Sequence, residues 1–189
     1  MDDIMEMVEG GGDDDGEKSW LNNGVALLVV FIAVVMAISQ MQSSNVAQAI
    51  TETKQEINDQ WAFYQAKSIK ENLHELQLDA FKMKMLSDRL LMKPDVAKAY
   101  DDKIKFYDNE VRRYGKEKNE IREKAESLEE DYEKLNARDD KFDMSDAIFS
   151  LSLALFAITA LTKKKPLFFL SMLIACGGGF FLYQAMTIK

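Results

Sequence analysis

The sequence predicts an all-α membrane protein with three transmembrane helices and a long antiparallel coiled-coil hairpin between the first and the second. Three uncharged stretches, at residues 19–51, 147–162 and 166–188, flank a highly charged middle. Apolar residues in that middle recur at alternating intervals of three and four, which is the spacing of a coiled coil. The two prolines, Pro94 and Pro166, lie where long helices have to end.

The N-terminal tail, residues 1–19, is predicted to be disordered because it has few apolar groups to bury. It contains eight acidic residues and one lysine, so nearly all of the net charge of −8 lies there. An acidic segment does not attract nucleic acid, and no nucleic-acid partner is expected. The tail also lacks the basic start of a cleavable signal peptide.

The predicted spans are transmembrane helix 1 at 20–42, transmembrane helix 2 at 144–162 and transmembrane helix 3 at 167–187. Their lengths approach the roughly 20 residues of apolar helix that a bilayer core requires. Trp20 is typical of an interfacial anchor. A buried helix of a soluble protein is the alternative for the first span, and the two later spans disfavour it. The lipid bilayer is therefore a predicted partner.

The basic turn at 163–166 predicts the orientation of the chain. Lys163, Lys164 and Lys165 stand in a very short loop, and short lysine-rich loops lie on the cytoplasmic side of a membrane. We therefore expect the N-terminus and this turn in the cytoplasm. The hairpin would then be on the periplasmic side of a bacterial inner membrane.

A row of small residues in the third span predicts close helix packing. Ser171, Ala175 and Gly179 recur every four residues, and such a row lets another helix approach closely. The alternative role for this row is the lining of a pore.

The extramembrane region 43–143 is predicted to form a helical hairpin with arms at 44–91 and 95–143. Pro94 favours the first turn of a helix and disfavours helix at Lys93 before it. The arms have 48 and 49 residues, and each would be about 70 Å long. Equal arms bring the chain back to the membrane where the second span begins, which favours pairing of the two arms.

Each arm carries a predicted seam that would face the other arm. In the first arm the seam is Ala62, Ala66, Ile69, Leu73, Leu76, Ala80, Met83, Ser87 and Leu90. In the second arm it is Ala97, Tyr100, Ile104, Tyr107, Val111, Tyr114, Lys118, Ile121, Ala125, Leu128, Tyr132, Leu135, Asp139 and Phe142.

The first arm has a second apolar face that the second arm lacks. Leu78, Phe81 and Met85 lie opposite the predicted first-arm seam. A lone hairpin would leave them in water, so we expect a second copy of the chain, or a partner membrane protein, to cover them. The alternative is a scatter of exposed apolar side chains, which is normal on protein surfaces.

Three aromatic residues, Trp61, Phe63 and Tyr64, cover most of the helix circumference at one level of the first arm. Two interpretations are open. The rings pack between helices of the hairpin or of an oligomer, or they form a recognition patch for a partner.

No enzyme activity, catalytic residue, cofactor or metal is predicted. His74 and Cys176 are the only residues of their types, so one chain cannot assemble a zinc site from them. His74 is expected on the surface of a long helix, with no pocket beside it. The spans carry no central ionisable residue, which disfavours a proton relay.

The string DQWAFYQAKSIK at 59–70 resembles the motif of the bacterial domain-of-unknown-function 4337 family. The segment 160–182 is similar to the C-terminal signature of that family, and 20–38 is similar to its first span. The resemblance covers roughly residues 17–187 and implies a membrane location without supplying an activity. Relatives often carry a His-rich tail, whereas this tail is acidic and has no histidine.

These features favour a non-enzymatic integral membrane scaffold or assembly protein that self-associates through its hairpin and its membrane helices. A channel or transporter component is one alternative, although polar groups inside the spans are few. An accessory subunit of a larger membrane complex is another.

Overall fold

A computed structural model gives the structure of the chain, and it describes residues 20–188 with their side chains. Its helices are α1 (Asp2–Asp88), α2 (Pro94–Thr162) and α3 (Lys165–Thr187), with no strand in the described part. All three are long and apolar enough to cross a membrane. The predicted all-α class is confirmed. The predicted disordered tail, residues 1–19, lies outside the residues whose side chains are described, and its disorder stays a prediction.

The turn between α1 and α2 lies where Pro94 indicates. Helix α1 ends at Asp88, three residues before the predicted end of the first arm at Leu91. The Leu91 N–H donates to the Asp88 carbonyl at 2.8 Å. Pro94 is the first residue of α2, because proline suits the start of a helix and disfavours helix at the residue before it. The predicted first span and first arm form one uninterrupted helix.

The chain divides into two compact units, and the hairpin unit is Thr51–Tyr132. In it α1 and α2 pack antiparallel, since Trp61 meets Glu129 and Phe81 meets Tyr100. The predicted second-arm seam is confirmed here: its members between 97 and 132 are half-buried, and Ala125 is fully buried.

The other unit, Met1–Ile50 with Glu133–Lys189, contains the three predicted spans. Its larger apolar cluster is formed by Leu21, Val25, Ile32, Phe149, Phe156 and Phe168. A smaller cluster is formed by Val46, Phe142 and Ala185. Phe142, Phe149 and Phe156 of α2 are seven residues apart, so they lie on one side of the helix and occupy successive levels of the core.

The connection from α2 to α3 is a tight turn of two residues, Lys163 and Lys164. Lys163 has a left-handed backbone, with φ of 53°, which is uncommon for a residue other than glycine. Its N–H donates to the Thr159 carbonyl at 2.8 Å, so it closes the last turn of α2. Helix α3 then begins at Lys165, with Pro166 in its first turn.

Candidate interaction surfaces

The side of α1 that packs against α2 in the hairpin unit is called the inner face. It consists of Ile57, Trp61, Tyr64, Lys67, Glu71, His74, Leu78, Phe81 and Met85, all buried or half-buried. These positions keep intervals of three or four, so they form a continuous stripe along the helix. The stripe mixes aromatic, charged and aliphatic side chains.

Aromatic rings carry much of the packing on the inner face. The His74 ring stacks on Tyr114, with centroids 5.3 Å apart and planes 9° apart, and it also contacts Tyr107 at 5.5 Å. Phe81 meets Tyr107 at 5.5 Å and Tyr100 at 5.6 Å. Ring pairs at these separations add stabilisation of about 0.5–1.5 kcal/mol each beyond the area that they bury. The α2 tyrosines therefore need aromatic partners on α1.

Charged pairs connect the same two faces. Lys118 of α2 pairs with Glu71, and Glu117 of α2 pairs with Lys67. The hydrogen bond from Lys118 to Glu71 raises the pKa of Lys118, and the bond from Lys67 lowers the pKa of Glu117. In the hairpin the ion pairs therefore favour the protonated, positive form of Lys118 and the deprotonated, negative form of Glu117. Trp61 adds a neutral donor, since its indole N–H donates to a Glu129 oxygen at 2.8 Å.

The predicted first-arm seam does not face α2. Its larger members are exposed: Ile69 by 60%, Leu73 by 57%, Leu76 by 68% and Met83 by 71%. That prediction is wrong, because the Tyr, Lys and Glu residues of α2 find stacking and ionic partners only on the other stripe. The exposed stripe is called the outer face of α1 and consists of Ala62, Ala66, Ile69, Leu73, Leu76, Ala80, Met83 and Ser87. The last predicted member, Leu90, lies in the turn after the end of α1.

The predicted partner residues are divided between covered and open positions. Leu78 and Met85 are buried, at 5% and 6% exposure, and Phe81 is half-buried against α2. These three belong to the inner face, so a partner would find them already covered. The apolar surface that is open to a partner is the outer face instead.

The aromatic cluster is divided in the same way. Trp61 and Tyr64 are half-buried and contact each other edge to face at 5.4 Å. Phe63 is 58% exposed beside the outer face. The interpretation of Trp61 and Tyr64 as packing residues of the hairpin therefore fits their positions, and Phe63 is the ring that a partner could reach.

His74 is the clearest case of a residue whose surroundings differ from those expected. It was expected on the surface, yet it is half-buried between two tyrosines. Its Nδ1 atom is buried without a hydrogen-bond partner. Because Tyr114 stacks on it and Tyr107 contacts it at a tilt, the imidazole serves here as an aromatic packing group.

Small residues do bring α3 close to α2, at positions that differ in part from the predicted row. The α3 residues buried at seven-residue intervals are Ser171, Gly178 and Ala185. A Cβ atom added to Gly178 would lie 2.9 Å from the Phe149 ring, whereas one added to Gly179 would meet nothing within 4 Å. Of the predicted row, Ser171 is fully buried, Ala175 packs beside the larger cluster, and Gly179 faces open space.

Buried hydroxyl groups accompany this close approach. Ser145 donates to the Gly178 carbonyl and Ser152 donates to the Ser171 carbonyl, both at 2.9 Å. The α2 residues Phe142, Phe149 and Phe156, and likewise Ser145, Ser152 and Thr159, are spaced by seven. The sequence contains this double repeat, but which of the glycines at 177–179 lies opposite Phe149 is shown only by the packing of α2 against α3.

An apolar cavity of about 390 Å³ lies among the three helices of the same unit, with Phe31, Met172, Cys176 and Gly179 in its wall. Its wall offers almost no polar surface, and no carboxylate, imidazole, ammonium or guanidinium group is among its lining residues. Among residues 20–188, no cluster of three or more His, Cys, Asp or Glu side chains could hold a metal.

Carboxylates of α2 accept hydrogen bonds from α1 serines in this unit. Ser39 donates to Asp146 at 2.9 Å, and Ser43 donates to Asp139 at 3.3 Å. Burial raises the pKa of Asp139, and the nearby charge of Asp143 raises it further. The lysines from which the membrane orientation is predicted, Lys163, Lys164 and Lys165, are all exposed where α2 ends and α3 begins.

The family model described as a domain of unknown function (DUF4337) matches residues 21–188, which include all three predicted spans and the whole hairpin. The chain belongs to the DUF4337 family. No curated protein and no solved structure matches the chain. As a DUF4337 protein it shares a family description that names no activity, so its function has to be argued from its own surfaces.

Proposed function

We propose that this DUF4337 protein is a non-enzymatic membrane scaffold that assembles with copies of itself. The observation that carries the proposal is the outer face of α1. Its aliphatic residues are spaced at the three- and four-residue intervals of a coiled coil. They are exposed to solvent, whereas the inner face of the same helix packs against α2. Contiguous apolar surface of this kind marks interaction sites in proteins.

The arrangement of the polar groups supports a structural role over transport. The span residues Ser152 and Ser171 are fully buried, and their hydroxyls donate to main-chain carbonyls. The Ser152 hydroxyl joins α2 to α3, and the Ser171 hydroxyl is satisfied within α3, so neither is free to line a water path. The runner-up function, a channel or transporter component, therefore has less support than a scaffold.

The location proposed for the scaffold is a bacterial inner membrane, with the hairpin on the periplasmic side. The exposed Lys163–Lys165 turn supports this orientation through the preference of short basic loops for the cytoplasm. Protease added to spheroplasts should cut the hairpin. Protection there, with cleavage in inverted vesicles, would reverse the orientation and leave the assembly proposal untouched.

The assembly proposal is tested by the mass of the purified protein in detergent, measured by light scattering with the detergent contribution subtracted. The wild-type chain should have a mass that is a multiple of 21.6 kDa. Leu73→Asp with Leu76→Asp should reduce it to one chain, because two charges would be buried at the interface.

The matched control is Asn109→Asp with Asn119→Asp, which adds the same charge at two exposed positions of α2. The control should keep the wild-type mass. A single-chain mass for the wild type at every concentration would contradict self-assembly. Co-purification of a different chain in fixed ratio would favour an accessory subunit instead.

A further inference from the structure

The self-assembly proposed above leaves open which surfaces meet and in which direction. We infer that the outer face of α1 packs against the outer face of a second copy, parallel and in register, so that each residue of the stripe meets itself. Asp79 of one copy then lies opposite Lys84 of the second copy. This inference rests on the proposed function and names its contact surface.

The spacing of the outer face fits a coiled coil without a break. Within α1, Ile69, Leu76 and Met83 are seven residues apart, and Ala66, Leu73, Ala80 and Ser87 form the alternate series. Intervals of three and four place both series on one seam. The larger members Ile69, Leu73, Leu76 and Met83 supply most of the apolar surface of the stripe.

The charges beside the outer face select the parallel direction. In a parallel coiled coil, a residue that directly precedes a member of the Ala66 series lies opposite a residue of the second copy that directly follows a member of the Ile69 series. The second residue is five positions later in the sequence than the first. Asp79 is thereby placed opposite Lys84, and the flanking pairs Gln65–Lys70 and Asn72–Gln77 contain no like charges. The Lys84 side chain is exposed and pairs with Asp88 of its own chain at 3.3 Å.

An antiparallel arrangement is disfavoured by the same charges. In antiparallel packing, residues that follow the Ile69 series lie near residues that follow the same series in the second copy. Residues that precede the Ala66 series likewise lie near their equivalents. Lys70 would then lie near Lys84 of the second copy, which is a like-charge contact, and Asp79 would face Asn72 without a cation. Like charges placed opposite each other are destabilising.

Insertion into a membrane supports the parallel choice independently. Helix α1 contains the apolar segment that begins near Trp20. Copies of one chain inserted with the same topology carry their outer faces in the same direction and at the same level. Side-by-side contact in the plane of the membrane is therefore parallel and in register by symmetry.

The test uses single cysteines in a full-length chain that carries Cys176→Ser, which removes the one native thiol. Ile69→Cys and Met83→Cys are placed separately on the outer face. Glu75→Cys is the matched control, because Glu75 is exposed on the same helix but lies on neither face. Membranes of the expressing cells are treated with a mild oxidant, and the products are separated without reductant.

Parallel packing in register predicts that Ile69→Cys alone and Met83→Cys alone each double the apparent mass of the chain, while Glu75→Cys does not. Formation of a disulfide only when the Ile69→Cys and Met83→Cys chains are mixed would show antiparallel packing and overturn the inference. A multimer in detergent with no disulfide at either position would overturn the surface but leave self-assembly standing. A single chain in detergent with no disulfide would end both.

Discussion

The two faces of α1 in the hairpin unit follow the same alternation of three and four residues, yet only one of them packs within the chain. The inner face contains His74, Lys67 and Glu71 and is covered by α2. The outer face is more aliphatic, yet Leu76 is 68% exposed on it. The more apolar stripe is therefore the one left in solvent.

The difference between the two faces shows which interactions decide which stripe of α1 packs against α2. Helix α2 presents Tyr107, Tyr114 and Lys118, which need rings and a carboxylate opposite them. Hydrophobic burial is non-directional and would accept either stripe. Stacking and ion pairing are directional, so they determine which stripe faces α2, and the aliphatic stripe stays exposed in the single chain.

The largest expected effect compares one leucine from each face. Leu78→Ala should lower the free energy of unfolding of the hairpin by about 3 kcal/mol, because a cavity is left where the buried leucine atoms were removed. Leu76→Ala should change it by less than about 0.5 kcal/mol in single chains, because exposed side chains contribute little. Urea unfolding in detergent, at protein concentrations low enough to keep chains separate, measures both. Equal losses would abolish the distinction between the faces.

A second comparison of packed and open positions is available in α3. Gly178→Ala should destabilise the unit by about 1–3 kcal/mol, because the added methyl group collides with the Phe149 ring. Gly179→Ala should be tolerated, since open space surrounds that position. Thermal unfolding in detergent, followed by circular dichroism, compares the two variants. A lower midpoint for Gly179→Ala than for Gly178→Ala would contradict the assigned packing.

The smallest expected effect concerns a charge on the packed seam of α2. Because burial raises the pKa of Asp139, its ionised form destabilises the fold at neutral pH. That cost disappears as the pH falls through the ordinary aspartate value of 3.8. Asp139→Asn should therefore stabilise the protein by less than about 0.5 kcal/mol at pH 7, since solvent screens the charge.

The gain from Asp139→Asn should vanish in unfolding measurements near pH 3. Asp102→Asn is the control, because Asp102 is exposed on the same helix and is not among the groups that raise the pKa of Asp139. A gain for Asp139→Asn that persists unchanged at pH 3 would show that the amide stabilises through contacts unrelated to charge.

Much of the fold could be predicted from the sequence because it depends on local patterns. The uncharged stretches indicate the spans, and Pro94 indicates the turn. The α2 seam was predicted correctly because α2 has one apolar stripe, so its 3–4 spacing leaves no choice. The DUF4337 membership was likewise indicated by the motif at 59–70, and the match over residues 21–188 bears it out.

The choice between the two α1 stripes could not be predicted, since it depends on partners more than thirty residues away in sequence, such as Tyr114 for His74. The run Gly177–Gly179 left a similar choice, because any of the three glycines could face a neighbouring helix. Phe149 settles it for Gly178, and only the pairing of α2 with α3 reveals that contact.

The most direct test of the division between the faces is the rate at which a thiol reagent modifies a cysteine placed on each. In the Cys176→Ser chain, Leu78→Cys should react slowly at every protein concentration, because α2 of the same chain covers it. Leu73→Cys should react fast in dilute detergent solution and slow down as the concentration rises and copies cover one another. A Leu73→Cys rate that never changes with concentration, or a Leu78→Cys rate that does, would contradict the account.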